Sequence, residues 1–261
     1  MRYILLLLII LNTLFADIKL SQKDALYIAK KVWQNEGAGL DKYLIHWNRG
    51  EDFASIGIGH FIWFSRGHKE RFREVFPMYL KFVAQKGVKM PHWLTPKTPL
   101  PWNSSKELAK AKKQKSKKYR ELFRFIKDTR RYQAEFMANR LTKALPQILA
   151  TLKTKKQKEL ITNRFNNILY KKNNKIDKRG LYILIDYTNF KGEGTLKSER
   201  YKGQGWGLLQ VLTNLNPRKK NKYKAFSSSA KKMLLRRVKN SPKARGEKRW
   251  TRGWNIRLDS Y

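Results

Sequence analysis

Apolar residues recur at helical spacing through most of this chain. Near the start, Ala25, Leu26, Ala29, Val32 and Trp33 repeat every three or four positions, as on the buried face of an amphipathic helix. Ser21 supplies an N-cap and Asp24 a negative charge in the first turn, while Gly37 and Gly39 stop the helix just after Glu36. Turn formers and β-formers then take over as far as Gly57-Ile58-Gly59, which predicts loop and a short hairpin. Phe72 to Val83 is helical in pattern, with Pro77 expected to kink or restart it. Pro91, Pro96, Pro99 and Pro101 mark an extended connection carrying Trp93 and Trp102. Lys106 to Lys118 predicts a basic, solvated helix with little apolar face.

From Tyr119 to Tyr170 helical periodicity returns, through Leu122, Phe123, Ile126, Phe136, Met137 and Leu141 to Ile161, Phe165 and Leu169. Leu181 to Phe190 is apolar enough to be a buried helix, and Leu208 to Leu215 predicts another after a glycine-rich stretch. The tail from Lys231 is basic, with Trp250 and Trp254 as anchors, and there is no internal repeat. The expected class is mainly α (α+β), with one small β element near the N-terminus. The expected organisation is a single domain over 17–261 with a Pro-rich and basic helical insertion around 91–120.

The first residues have a different pattern. Arg2 precedes an unbroken apolar run, and Leu14-Phe15-Ala16 leads to the polar Asp17. A short positive start, a short apolar run and a small residue at the cut are the parts of a secretory signal. The run is shorter than the about 20 residues a membrane span needs, so cleavage after Ala16 and a periplasmic or secreted location are expected. The chain has no cysteine, which excludes a lipoprotein anchor, disulfides and a thiol nucleophile. With 41% hydrophobic and 13% aromatic residues it can bury a core without disulfides.

Charge changes the picture further. Against 19 acidic residues stand 59 lysines and arginines, a net charge of +40. Such a field gathers polyanions in a salt-dependent way. For an exported chain these are acidic wall polymers, peptidoglycan and anionic lipid surfaces, and nucleic acid is not the expected partner.

One constellation bears on chemistry. Trp33-Gln34-Asn35-Glu36-Gly37 is followed by Glu51-Asp52-Phe53-Ala54-Ser55-Ile56-Gly57-Ile58-Gly59-His60. Over about 30 residues this resembles phage-type lysozymes, which place a catalytic Glu before Gly at the end of the first helix and follow it with a Gly-Ile-Gly-His turn. The resemblance implies a lysozyme-like helical fold and cleavage of peptidoglycan glycan strands, with Glu36 as general acid. It places Gly57, Gly59 and His60 at the substrate side of the hairpin, His60 as a brace. Ser55 stands where the family has a Thr that helps hold the attacking water. Arg49 stands where the family has its second carboxylate, and Glu51 or Asp52 could reach the same place, Glu51 preferred because it follows Gly50. The gap between Glu36 and the turn is longer than in the family.

The chemistry suits these residue types. A glycosidic bond breaks when a carboxylic acid still protonated near neutral pH lies against the leaving oxygen. The negative end of a helix and apolar neighbours such as Trp33 and Ile56 favour that protonated form, and nearby cations oppose it. The plain alternative for Glu36 is a helix-end carboxylate paired with a lysine.

A second cluster runs from Asp186 to Gln210. Its glycines and aromatic groups suit either a sugar-binding loop or a close-packed connection with Trp206 in the core. On the first reading Asn189, Tyr201 and Gln204 contact substrate. Glu193, on an exposed turn between two glycines, is then a contact or the missing second acid. No metal-ligand spacing, P-loop, dinucleotide fingerprint or Gly-x-Ser-x-Gly elbow occurs, so neither metal nor cofactor is expected. A lytic transglycosylase using the same Glu, and a non-catalytic basic protein binding wall, lipid or nucleic acid, are the competing readings.

Overall fold

The computed structural model describes residues 20–48, 50–67 and 73–261. The expected export signal and Arg49 lie outside the described residues. Ten α-helices and two small antiparallel sheets make up the described chain, so the fold is mainly α. No helix among the described residues is long and apolar enough to cross a membrane. The chain forms two compact units, Leu20–Met137 and Ala138–Tyr261.

In the first unit α1 (Gln22–Gly37) begins as the sequence predicts, the Ser21 side chain accepting from Asp24 N–H at 3.1 Å. Its left-handed cap is Ala38, with φ 51°, rather than a glycine, and Ala38 N–H closes the helix on Trp33 O. Gly37 is the last helical residue, and Tyr43 packs closely on it, its Cβ 3.3 Å from where a Cβ of residue 37 would be. Strands β1 (Ile45–His46), β2 (Ala54–Ile56) and β3 (Phe61–Trp63) form a meander in that order. Ile45 pairs with Ile56 and Ile56 with Phe61, and all three are buried on one face. One residue along, His46, Ser55 and Ile62 share the opposite face, because side chains alternate along a strand.

Helix α2 (Phe76–Gln85) starts four residues later than the pattern suggests, since Pro77 sits in its first turn, where its missing N–H costs nothing. Phe76 and Tyr79 on α2 pack with Phe61, Trp63 and Phe136 into an aromatic core, Trp63 and Phe76 with centroids 4.6 Å apart. The proline-rich segment lies along the end of β3, where Trp63 Nε1–H donates to Thr98 O at 3.0 Å. The basic run is two helices, α3 (Ser105–Lys113) and α4 (Lys117–Asp128), broken at Lys115 with φ 48°. Leu108 and Ala111 bury one side of α3, so it is not solvated all round. Helix α5 (Arg130–Ala150) follows.

In the second unit α6 (Lys155–Leu169) is closed by a Thr154–Gln157 capping box. Helix α7 (Lys178–Lys191) is buried on every side from Gly180 to Thr188, as its apolar sequence predicts for a central helix. A Cβ at Gly180 would lie 1.8 Å from Ile168 O, so glycine sets how closely α7 approaches α6. Strands β4 (Arg200–Tyr201) and β5 (Gln204–Gly205) form a second hairpin, where the sequence led us to expect one β element only. Alternation over two residues per strand is too short to show in a sequence pattern. Helices α8 (Leu208–Thr213), α9 (Lys222–Asn240) and α10 (Thr251–Asp259) complete the unit, α9 packing on both others.

Candidate active site

Glu36 occupies the last turn of α1, half-buried, where the unsatisfied carbonyls carry partial negative charge. The Gly57–His60 turn between β2 and β3 brings His60 to it, with Nδ1 3.6 Å from Glu36 Oε2. His60 reaches this position through a left-handed backbone, φ 46°, and its N–H closes the turn on Gly57 O at 3.2 Å. Gly57 has φ 78°, and a Cβ there would meet Gln133 Oε1 at 2.4 Å, so conformation and space both require glycine.

Gln133 is what fixes the turn. Fully buried on α5, its Oε1 accepts from Ile58 N–H at 2.8 Å and its Nε2–H donates to Ile126 O at 2.7 Å. Nothing in the sequence marks Gln133, because its partners lie 75 and 7 residues away. We expect Gln133→Leu to cost about 1–3 kcal/mol, leaving a buried N–H and a buried C=O unpaired. It should also weaken any activity that needs His60 placed. Thermal unfolding measures the first effect and the rate with the folded variant the second. A fully stable Gln133→Leu protein would show that the turn holds itself.

A second group lies on the β1–β2 connection. Asn48 Nδ2–H donates to Glu51 Oε2 at 2.9 Å, and His46 Nε2 lies 2.8 Å from Asn48 Oδ1. Trp47 Nε1–H donates to Glu51 O at 2.8 Å and pins the loop backbone. Burial raises the Glu51 carboxyl above its ordinary value; the Asn48 hydrogen bond and the nearby His46 oppose this, and Asp52 adds to it. Ser55 is buried directly across from His46, and its hydroxyl makes no hydrogen bond with a described residue. Glu36 with His60, and Glu51 with Asn48 and His46, are thus two carboxylate groups of the same unit.

Two cations stand by the end of α1 and the turn that follows it. The Arg130 guanidinium lies 4.0 Å above the Trp33 ring and donates to Asp41 Oδ1 at 2.6 Å, and Lys127 pairs with Asp41 at 2.9 Å. Trp33 therefore brings a positive charge as well as an apolar surface.

In the second unit the glycine-rich cluster is a packed connection. Glu193 is buried, 8% exposed, and its Oε1 faces Arg140 at 4.0 Å, which corrects the expectation of an exposed turn. The space above Gly192 holds the Glu199 carboxylate, and Gly207 lies directly against the Gly194 backbone. Glu199 is the residue the sequence did not single out. Its Oε2 accepts from Gly194 N–H at 2.7 Å and Leu196 N–H at 3.2 Å, and burial raises its carboxyl despite these bonds. Tyr201 O–H donates to the buried Glu247 at 2.8 Å, which Arg237 and Arg245 also hold. Gln204 is exposed and accepts from Asn240, and Asn189 lies near the end of α7. Trp206 is in the core. Among the described residues no group of three or more His, Asp or Glu side chains is arranged to hold a metal.

No protein-family model, no curated protein and no solved structure matches this chain.

Proposed function

We propose that this protein is an exported glycosidase that cleaves peptidoglycan, with Glu36 as general acid. The observation that carries the reading is the meeting of Glu36, at the negative end of α1, with His60 from the Gly-Ile-Gly-His turn. A helix C-terminus disfavours the ionised carboxylate, so Glu36 is suited to hold a proton and give it to the leaving sugar oxygen. His60 orients that carboxyl. Glu51 in its ionised form stabilises the positive charge that develops at the anomeric carbon or activates the water, and Ser55 positions that water. In an inverting pair the carboxyls stand about 6.5–9.5 Å apart. Excess positive charge draws the acidic wall polymer to the enzyme.

A lytic transglycosylase with the same acid is the close variant. Arg49 at the family's second carboxylate position favours it, since a single Glu suffices when the sugar's own hydroxyl replaces water.

Digestion of purified peptidoglycan by the chain from Asp17, beside Glu36→Gln, tests the proposal, with released fragments identified by mass spectrometry. Reducing ends would identify a hydrolase and anhydro-sugar ends a transglycosylase. No fragments from the folded wild type, across pH and salt, would leave a basic wall-binding protein instead.

The raised Glu51 carboxyl gives a pH prediction. If Glu51 acts ionised, activity falls as pH drops through its raised pKa. Asn48→Ala removes a hydrogen bond that favours the charged form, so the acidic limb should move to higher pH. Glu51→Gln should remove that limb along with most of the rate. An unchanged acidic limb in both variants would exclude Glu51 from the reaction.

A further inference from the structure

The second unit carries a groove of 970 Å³ that the proposed reaction does not use. Asn163, Asn166 and Asn167 form one wall, on one face of α6. Lys171 and Lys172, in the turn after α6, and Lys219, Lys220 and Lys222, around the start of α9, supply its charge. No acidic side chain lines it.

Two of the lysines are committed to the protein. Lys222 Nζ donates to Tyr170 O at 2.8 Å and pairs with Asp177 at 2.9 Å, and Lys219 Nζ donates to Ser228 Oγ at 2.7 Å. Lys171, Lys172 and Lys220 are exposed and make no ion pair with any described residue. The three carboxamides likewise make no hydrogen bond with a described residue. Asparagine in a helix costs roughly 0.7 kcal/mol against alanine. Three on one face therefore weaken α6 with no return from internal bonding.

We infer that this groove binds an acidic polysaccharide strand. Unopposed ammonium groups fit its carboxylates or phosphates, and carboxamides, each both donor and acceptor, fit its hydroxyls. Single-stranded nucleic acid fits less well, because successive bases need aromatic faces to stack on, and Tyr170 is the one aromatic in the lining. The assignment does not rest on Glu36 cleaving anything, since every lining residue lies in the unit Ala138–Tyr261. Joined to the proposed activity, it would hold wall polymer on the enzyme between cleavage events.

The test is a binding titration of the protein with polygalacturonate, with neutral dextran of similar length, and with an oligothymidylate, at about 0.15 M salt. Polygalacturonate should bind most tightly. The triple variant Lys171→Gln, Lys172→Gln, Lys220→Gln should lower its affinity about tenfold, as expected for losing three close ionic contacts. A control triple with equal charge change, Lys81→Gln, Lys89→Gln, Lys97→Gln, should lower it less than about twofold, since none of these lysines lines the groove. Asn163→Ala with Asn167→Ala should weaken polygalacturonate and leave oligothymidylate unchanged. Equal losses in the two triples would reduce the effect to net charge and overturn the assignment. So would oligothymidylate binding more tightly than polygalacturonate and responding to the groove triple, which would make this a nucleic-acid site. Glu36→Gln should bind as wild type, so failure of the cleavage reading and failure of the groove show in separate measurements.

Discussion

Glu36→Gln is expected to lower peptidoglycan cleavage by about 10²–10⁴-fold, the usual share of a general acid. At about 1.4 kcal/mol per factor of ten, this corresponds to roughly 3–5 kcal/mol of lost transition-state stabilisation. The carboxamide keeps the size of the side chain and can still meet His60, so α1 and the turn should stay folded, and circular dichroism checks this. What it cannot do is deliver a proton. The loss should therefore fall on kcat, with binding to the wall retained. His60→Ala should cost less and should shift the pH profile, since His60 acts through the Glu36 carboxyl 3.6 Å from its ring. A Glu36→Gln protein cleaving at the wild-type rate would end the case for this acid.

Arg257→Ala is expected to destabilise the protein by about 3–5 kcal/mol, the largest single-residue effect on folding we anticipate. Asp186, at the centre of α7, is wholly inaccessible to solvent. Arg257 Nε–H and Nη2–H each donate to it at 2.8 Å, and Tyr261 O–H donates at 2.5 Å. The guanidinium also lies 4.0 Å from the Phe190 ring centre. Removing Arg257 leaves a carboxylate in an apolar interior with one phenol for a partner. In a unit of this size the melting temperature should fall by roughly 10 °C or more. The double variant Asp186→Leu, Arg257→Met should recover most of the loss, because replacing both charges removes the desolvation cost as well as the attraction. Urea melts of the three variants decide it. If Arg257→Ala lost under about 1 kcal/mol, water would be reaching Asp186 and the pair would be peripheral.

The sequence announced these features unequally. Ser21 and the spacing from Ala25 to Trp33 make the first helix legible, and the glycines on either side of Ala38 mark its end to within a residue or two, because capping and periodicity act within a few residues. The Gly57–His60 turn was legible for the same reason. The site's support was not. Gln133 looks like any helical glutamine until α5 brings it to Ile58, and Glu199 looks solvated until Gly192 and Gly194 close over it. Glu193 was misplaced because flanking glycines suggest an exposed turn, whereas here they permit close packing around a buried carboxylate.

By itself, then, the sequence determined a mainly helical chain with a small sheet after its first helix, a strong positive charge, and a carboxylate at a helix end followed by a glycine turn. These depend on local backbone preference, apolar periodicity and composition. Only the tertiary structure decided that His60 meets Glu36, that burial raises Glu51, that Asp186 is neutralised by Arg257, and that four asparagines and five lysines share a groove. Each of those depends on which distant groups share a low-dielectric or solvent-facing space, and short-range preferences carry no record of that.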